Sequence, residues 1–179
     1  MSITTLQTFL PGQFVIEPGT MKDYHALARF HYRPKVPATI AGVWRVRYVY
    51  LNESDHSPLA AVGVLSWPTA CSRERNRAFG LHRLRYGERL RFANRELRTI
   101  SRVIVHPVFR STGLATQLVK HLCDQCPTRF CEALATMGWV HPFFERAGMT
   151  RVEPEDPRKP VYFWFDRENP HRSRDPTPE

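Results

Sequence analysis

Apolar side chains change their spacing near the middle of this chain, and the change separates a strand from a helix. Ile100, Val103, Ile104 and Val105 form a β-branched run that reads as a buried strand. His106-Pro107 ends it, because proline cannot donate to a ladder. Leu114, Leu118, Val119 and Leu122 then recur at helical spacing, predicting an amphipathic helix that starts near Ser111 or Thr112. The same reading extends in both directions. Phe14 to Glu17 is a first strand closed by Pro18-Gly19, and Thr20 with Asp23 caps a helix through Tyr24, Leu27, Ala28 and His31. Val43 to Leu51 and Leu59 to Trp67 form a hairpin around a turn from Glu53 to Pro58. Phe130 to Ala135 is a short strand suited to lie beside the Ile100 strand. Pro142 and Gly148 bound a short helix, and Met149 to Val152 pairs with Val161 to Phe165 in a closing hairpin.

Between the central strand and helix lies Arg110-Ser111-Thr112-Gly113-Leu114-Ala115. A small-residue turn opening a helix leaves backbone N–H groups unpaired at the positive end of the helix dipole, which suits a phosphate or pyrophosphate. Gly113 lets a ligand approach the backbone, Ala115 keeps the first turn slim, and Arg110 adds a charge-assisted bond.

Strand, V-x-P-x-x-R, then R-S-T-G-L-A and an amphipathic helix resemble the coenzyme A loop of the GNAT acyltransferase superfamily, whose pattern is Q/R-x-x-G-x-G/A. Phe144-Glu-Arg-Ala-Gly148-Met149 is similar to that superfamily's second signature, Y-E-K-x-G-F. The resemblance implies an α/β fold with a central twisted mixed sheet flanked by helices. It also implies an acyl-CoA-dependent N-acyltransferase, using acetyl-CoA or another acyl-CoA and an amine acceptor. Ile104, Val105, Arg110, Ser111, Thr112, Gly113, Leu114, Ala115 and Phe144 would then contact the cofactor, with the two parallel strands splaying near Ile104 to His106. Many members carry a tyrosine at the Phe144 position to protonate the leaving thiolate, which phenylalanine cannot do. Tyr86, Tyr32 and His141 are the substitutes considered. Glu96 and Glu132 are candidate bases, and Glu132, in an apolar stretch, would have a raised pKa if it faced inward.

A second constellation, Phe30-His31-Tyr32-Arg33 with Pro37-Ala-Thr, would lie over the acceptor site, where His31 and Tyr32 could handle protons or stack on a planar substrate. It is similar to the His-Tyr segment of the phage Mom DNA-modification proteins, which implies an alternative, adenine modification in nucleic acid. Together with E-L-R-x-I-S-R-V-x-V and P-F-F-E-x-A-G-M it also resembles the acetyltransferase-like domain fused to certain ABC-type ATPases. A non-catalytic nucleic-acid-binding module on the same fold is a third possibility.

With 179 residues, the chain suits one domain over 13–168, preceded by a loose arm or edge segment over 1–12 and followed by a disordered tail over 169–179. The net charge of +9 favours acidic partners. Arginines concentrate between Arg73 and Arg95, interleaved with Phe79, Tyr86 and Phe92, in an insertion spanning 68–96. This segment either faces nucleic acid or another acidic substrate, or is a solvated helix or loop with arginine stems packed over apolar surface. No run approaches the roughly eighteen apolar residues of a membrane span and no signal-peptide pattern opens the chain, so a soluble cytosolic protein is expected. Cys71, Cys123, Cys126 and Cys131 are then free thiols. No metal site is expected, since Cys123-x-x-Cys126 with His121 and Cys131 falls on a helix without a second pair.

Overall fold

A computed structural model describes residues 3–7, 12–32, 35–50 and 57–170. The turn expected from Glu53, Arg33 with Pro34, and the tail beyond 170 fall at least partly outside those residues. Eight strands form one sheet: β1 (Thr4–Gln7), β2 (Gly12–Pro18), β3 (Gly42–Tyr50), β4 (Leu59–Ser66), β5 (Leu97–Val105), β6 (Phe130–Ala135), β7 (Thr150–Val152) and β8 (Val161–Asp166). Their spatial order is β1-β2-β3-β4-β5-β6-β8-β7. Every neighbouring pair is antiparallel except β5 and β6. The mixed α/β class is therefore as expected. The N-terminal residues expected as an arm or edge segment supply an edge strand, β1, on β2.

Helices cover both faces. The helix α4 (Leu114–Asp124) lays Leu114, Leu118, Val119 and Leu122 on one face, each fully or nearly buried and worth about 1.5–3 kcal/mol. It packs closely because β4 offers Gly63 beneath it; a Cβ there would lie 2.7 Å from Leu122 Cδ1. The short α5 (Phe143–Arg146) completes that layer. On the opposite face, α1 (Met21–Leu27) buries Tyr24 and Leu27 against Val62, Val64 and Ile104. Its start is fixed by Thr20 and Asp23: the Thr20 amide donates to the Asp23 carboxylate at 2.7 Å.

The arginine-rich segment is helical. It forms α2 (Arg73–Ala78) and α3 (Tyr86–Glu96), and the latter runs directly into β5. Ala93 and Phe92 of α3, with Phe79, pack on Leu97, Phe130 and Trp164. Periodicity hid these helices because their apolar residues are few and widely separated by arginine. The structure also begins β5 three residues earlier than the β-branched run, at Leu97, and α4 later than Ser111 or Thr112. Gly113 causes the second shift, since its φ of 80° cannot belong to a right-handed helix.

One irregularity governs the centre of the sheet. The register between β4 and β5 slips at Val64/Leu65, so that Ser101 is an extra residue bulged from β5. Its hydroxyl is held by Ser66 Oγ at 2.7 Å. Before the bulge Ile100 faces α4; after it, Val103 and Val105 face α4 while Ile104 faces α1.

Candidate active site

The parallel pair is short. Its register runs Leu97 to Phe130, Arg98 to Cys131, Thr99 to Glu132 and Ile100 to Ala133, and then stops. Beyond that point β5 continues to Val105 held only by β4, while β6 continues to Ala135 held only by β8. A wedge therefore opens between them, its apex at Ile100 rather than near Ile104 to His106 as the sequence suggested. The earlier parting follows from the Ser101 bulge, which turns β5 away immediately after its last bond to β6.

The loop from β5 to α4 closes the wide end. His106 ends the strand, its Nδ1 accepting from the Val108 amide. Residues 107–109 form a 3-10 turn that buries Phe109. Ser111 (φ 65°) and Gly113 (φ 80°) both adopt left-handed conformations, which for serine costs about 1–3 kcal/mol. Alternation of this kind turns successive N–H groups to one side. No side chain caps α4, and Gln117 to Gly113 is the first bond of the helix ladder. The amides of Leu114, Ala115 and Thr116 thus have no intrahelical acceptor. The loop also supports itself: Thr112 Oγ1 donates to the Phe109 carbonyl at 2.8 Å. A Cβ on Gly113 would meet nothing within 4 Å, so the space before these amides is open. Arg110 is exposed and pairs with no carboxylate among the described residues. Uncapped amides, a local positive dipole, a free guanidinium and an open approach fit a diphosphate.

Of the expected cofactor residues, Arg110, Ser111, Thr112 and Gly113 are exposed in this loop and Ala115 is half-buried. Leu114 is buried under α4, and the Ile104 side chain is buried under α1, so these two offer backbone only. Val105 is partly buried on the α4 side. Phe144 is 5% exposed and stacks on Phe163 at a centroid distance of 4.9 Å. That ring is part of the core.

The candidate bases are placed differently. Glu132 faces inward and is 2% exposed, but it does not stand in an apolar hole. Arg75 Nε donates to Oε2 at 2.8 Å and Nη2 to Oε1 at 2.6 Å. Thr99 Oγ1 donates to Oε1 at 2.7 Å and Tyr162 OH to Oε2 at 2.9 Å. Arg75 in turn donates to the Thr69 carbonyl. Burial opposes the Arg75 charge, but the bonds to Glu132 outweigh it and raise the guanidinium's pKa. Burial and the adjacent carboxylate push the Tyr162 phenol well above its ordinary value, so it stays a donor. With both oxygens engaged by four donors, Glu132 has no acceptor site turned toward an incoming ammonium. Glu96 closes α3 at the tied end of the wedge, bonded to Arg95 at 2.7 Å, and lies nine residues from Val105, roughly 30 Å at 3.3 Å per residue. Neither carboxylate has the placement expected of it as a base.

His31 and Tyr32 stack on each other at 4.6 Å, and Tyr32 is 55% exposed. Their neighbour Phe30 packs edge-on against His106, which holds this loop at the mouth of the wedge. Tyr86 opens α3 and is 53% exposed. His141 is exposed, after β6. The structure thus gathers the cofactor loop, His106 and the His31–Tyr32 pair, and leaves Tyr86 and Glu96 on α3. Sequence reasoning missed Arg75, Tyr162 and Thr99 as the partners of Glu132. Arg75 was one arginine in a run, and nothing local sets it apart; only the pairing of β6 with β8 brings Tyr162 there.

The fold resembles those of several solved structures, acetyltransferases among them. A GNAT-family acetyltransferase from Listeria monocytogenes 4b F2365 superposes with a TM-score of 0.54 at 11% identity, over 91% of this chain and 99% of that one. An agmatine N-acetyltransferase gives 0.50 at 11% identity, over 86% and 99%. An acetoin utilization protein from Exiguobacterium sibiricum 255-15 gives 0.50 at 9%, over 91% and 84%. At these identities the likeness is one of fold. No curated protein matches the sequence. These matches lend no support to base modification or to the resemblance to the ABC-ATPase-fused domain. The sequence itself matches the acetyltransferase (GNAT) family over residues 47–149, a span that takes in the wedge, the phosphate-suited loop and the α5 signature. By that match, and by a sheet that parts where a thioester arm would enter, the chain belongs to the GNAT acetyltransferase family, whose acyl donor is acetyl-CoA.

Proposed function

We propose that this chain transfers an acetyl group from acetyl-CoA to a primary amine, with the diphosphate of the donor on Arg110 to Ala115. The observation that carries the proposal is the conjunction of the β5–β6 wedge with an uncapped α4 N-terminus at its open end. Acetyl-CoA, when bound, supplies the acetyl group as a thioester; exchanging its carbon–sulfur bond for a carbon–nitrogen bond takes two protons from the ammonium nitrogen, one released to solvent and one balanced by protonation of the leaving sulfur.

The chain's residues divide that work. Backbone groups of β5 beyond Ile100, without a β6 partner, orient the arm. The α4 face carries the donor, and the α1 face, with the His31–Tyr32 pair and the stretch over 35–41, receives the acceptor. Phe144 has no proton to give, so the His31–Tyr32 pair at the mouth takes that duty. Glu132 braces the wedge: through Arg75 it fastens α2 across β6 and β8, making the 68–96 segment a wall added to the acceptor side.

Isothermal titration with acetyl-CoA tests the donor site. Binding by the wild type and at least tenfold weaker binding by Gly113→Glu is expected. Equal affinity for both, or none for either, defeats the reading.

A second reading concerns the acceptor's carrier. Arg73 and Arg77 meet Glu155, and Arg95 meets Glu96, whereas Arg83, Arg85 and Arg91 are exposed and their guanidinium groups form no ion pair among the described residues. These unneutralised charges favour a phosphodiester backbone approaching α3. Retention of RNA or DNA that falls steeply with added salt, and less steeply for Arg85→Gln/Arg91→Gln, is the expected signature; salt-independent retention removes it.

A further inference from the structure

Arg102 is the first residue after the Ser101 bulge, in the stretch of β5 that has no β6 partner. Alternation with Ile104 puts its side chain on the α1 face, which in the reading above receives the acceptor. Among the described residues its guanidinium donates to two carbonyls, Nη1 to Ser101 at 2.7 Å and Nη2 to Lys35. Nε is buried and has no partner among the described residues. No carboxylate among the described residues pairs with Arg102.

The other arginines show what is missing. Arg75 and Arg129 each present the same edge, Nε with Nη2, to both oxygens of one carboxylate, Glu132 and Asp166 respectively. Arg45 and Arg151, partly buried, also have carboxylates. Arg98, likewise without an acid, lies with its charge 3.6 Å over the Trp67 ring. Arg102 has neither an acid nor a ring; Arg89 of α3 shares a buried, unmet Nε but lies outside β5, whereas in Arg102 the unmet atom stands on the unpaired stretch of β5 and belongs to the edge that grips carboxylates and phosphates bidentately.

We infer that Arg102 is an anion-binding subsite for the acceptor, so that the favoured substrate is an amine that also bears a carboxylate or a phosphate. The anion completes the Nε–Nη2 fork and takes the place of the Lys35 carbonyl on Nη2, which couples acceptor binding to the stretch over 35–41. Electrostatically, it neutralises a half-buried cation that the protein leaves uncompensated. This rests on the acetyltransferase reading and is tested apart from it.

The test uses matched amines: free amino acids against their carboxamides, and phosphoethanolamine against ethanolamine. Acetyl transfer from acetyl-CoA is followed by release of the CoA thiol. For the wild type, kcat/KM is expected to be at least tenfold higher for the anionic member of one pair or both, and the pair that responds identifies carboxylate or phosphate. Arg102→Gln should abolish that preference through KM and leave acetyl-CoA affinity by titration within twofold, and Arg102→Lys should retain part of it. Equal use of charged and neutral twins by the wild type, or a preference that survives in Arg102→Gln, overturns the subsite and leaves Arg102 as a loop tether. Acetyl-CoA binding without acetylation of any anionic amine overturns it too, with the donor site intact; absence of acetyl-CoA binding overturns both.

Discussion

The two walls of the wedge are built in opposite ways. The donor wall is local: strand end, 3-10 turn, left-handed pair and helix start follow one another from His106 to Ala115, and the amides that matter are consecutive. The acceptor-side brace is assembled from afar: Glu132 from β6, Thr99 from β5, Tyr162 from β8 and Arg75 from α2 meet at one buried carboxylate. The donor wall leaves its polar groups unmet, ready for a ligand. The brace meets all of its own. That difference separates a surface left open to a ligand from one that holds shape, although both consist of polar groups beside the same opening.

Breaking the brace should give the largest effect on stability. Arg75→Met strands Glu132 as an unpaired buried charge, and the expected loss is about 3–5 kcal/mol, or roughly 10 °C in melting temperature by calorimetry. Adding Glu132→Leu should recover most of that loss, since a buried pair replaced by apolar groups is nearly neutral. If the double variant is no better than the single, the brace is not an isolated ion pair. Glu132→Gln then asks whether the carboxylate acts in chemistry: activity and stability should fall together, and a collapse of kcat in a fully stable protein would restore it as a base.

On the donor wall the sign of the effects reverses. Gly113→Glu, already expected to weaken acetyl-CoA binding at least tenfold, should leave melting within a few degrees, because its Cβ meets nothing and only the φ of 80° is strained. Phe144→Tyr probes the boundary between the walls. Its hydroxyl would be added to a ring that is 5% exposed, so a loss of about 1–3 kcal/mol and no gain in kcat are expected. A gain in kcat would show that the ring tip reaches the leaving sulfur.

The smallest effect is a matter of pH. Tyr162 has a folded pKa raised well above its ordinary 10.0. Its contribution is therefore fully present below pH 10.0 and is lost as pH rises toward the folded value, because the unfolded chain releases a proton that the native state keeps. Tyr162→Phe should cost about 1 kcal/mol at neutral pH, for the lost bond to Glu132, and should flatten the alkaline fall in melting temperature. An unchanged alkaline slope would detach the phenol from the brace.

What could be read from the chain follows the same division. Strands β3 to β6 and helix α4 announce themselves through periodicity, and the loop through a run of small residues with one arginine, all within about ten positions. The brace could not be read, because Arg75 and Glu132 lie 57 residues apart and acquire meaning only from the pairing of β6 with β8 and the course of α2. Likewise, the wedge was legible in kind but not in position. Its apex depends on Ser101, a residue whose bulge no propensity marks. Phe144 shows the reverse case, in which the sequence signature is present and the side chain has been given to the core.

The single surplus residue in β5 acts on the strand as a frameshift acts on a reading frame. Upstream of Ser101 odd-numbered positions such as Leu97 and Thr99 look toward the α1–α3 layer, and downstream the even-numbered Ile104 does. Drawing that residue into the regular ladder would exchange the audiences of everything that follows, sending Val103 and Val105 to the α1 layer and Arg102 to the α4 side. Its excision would remove the bulge and leave those side chains on the faces they have now.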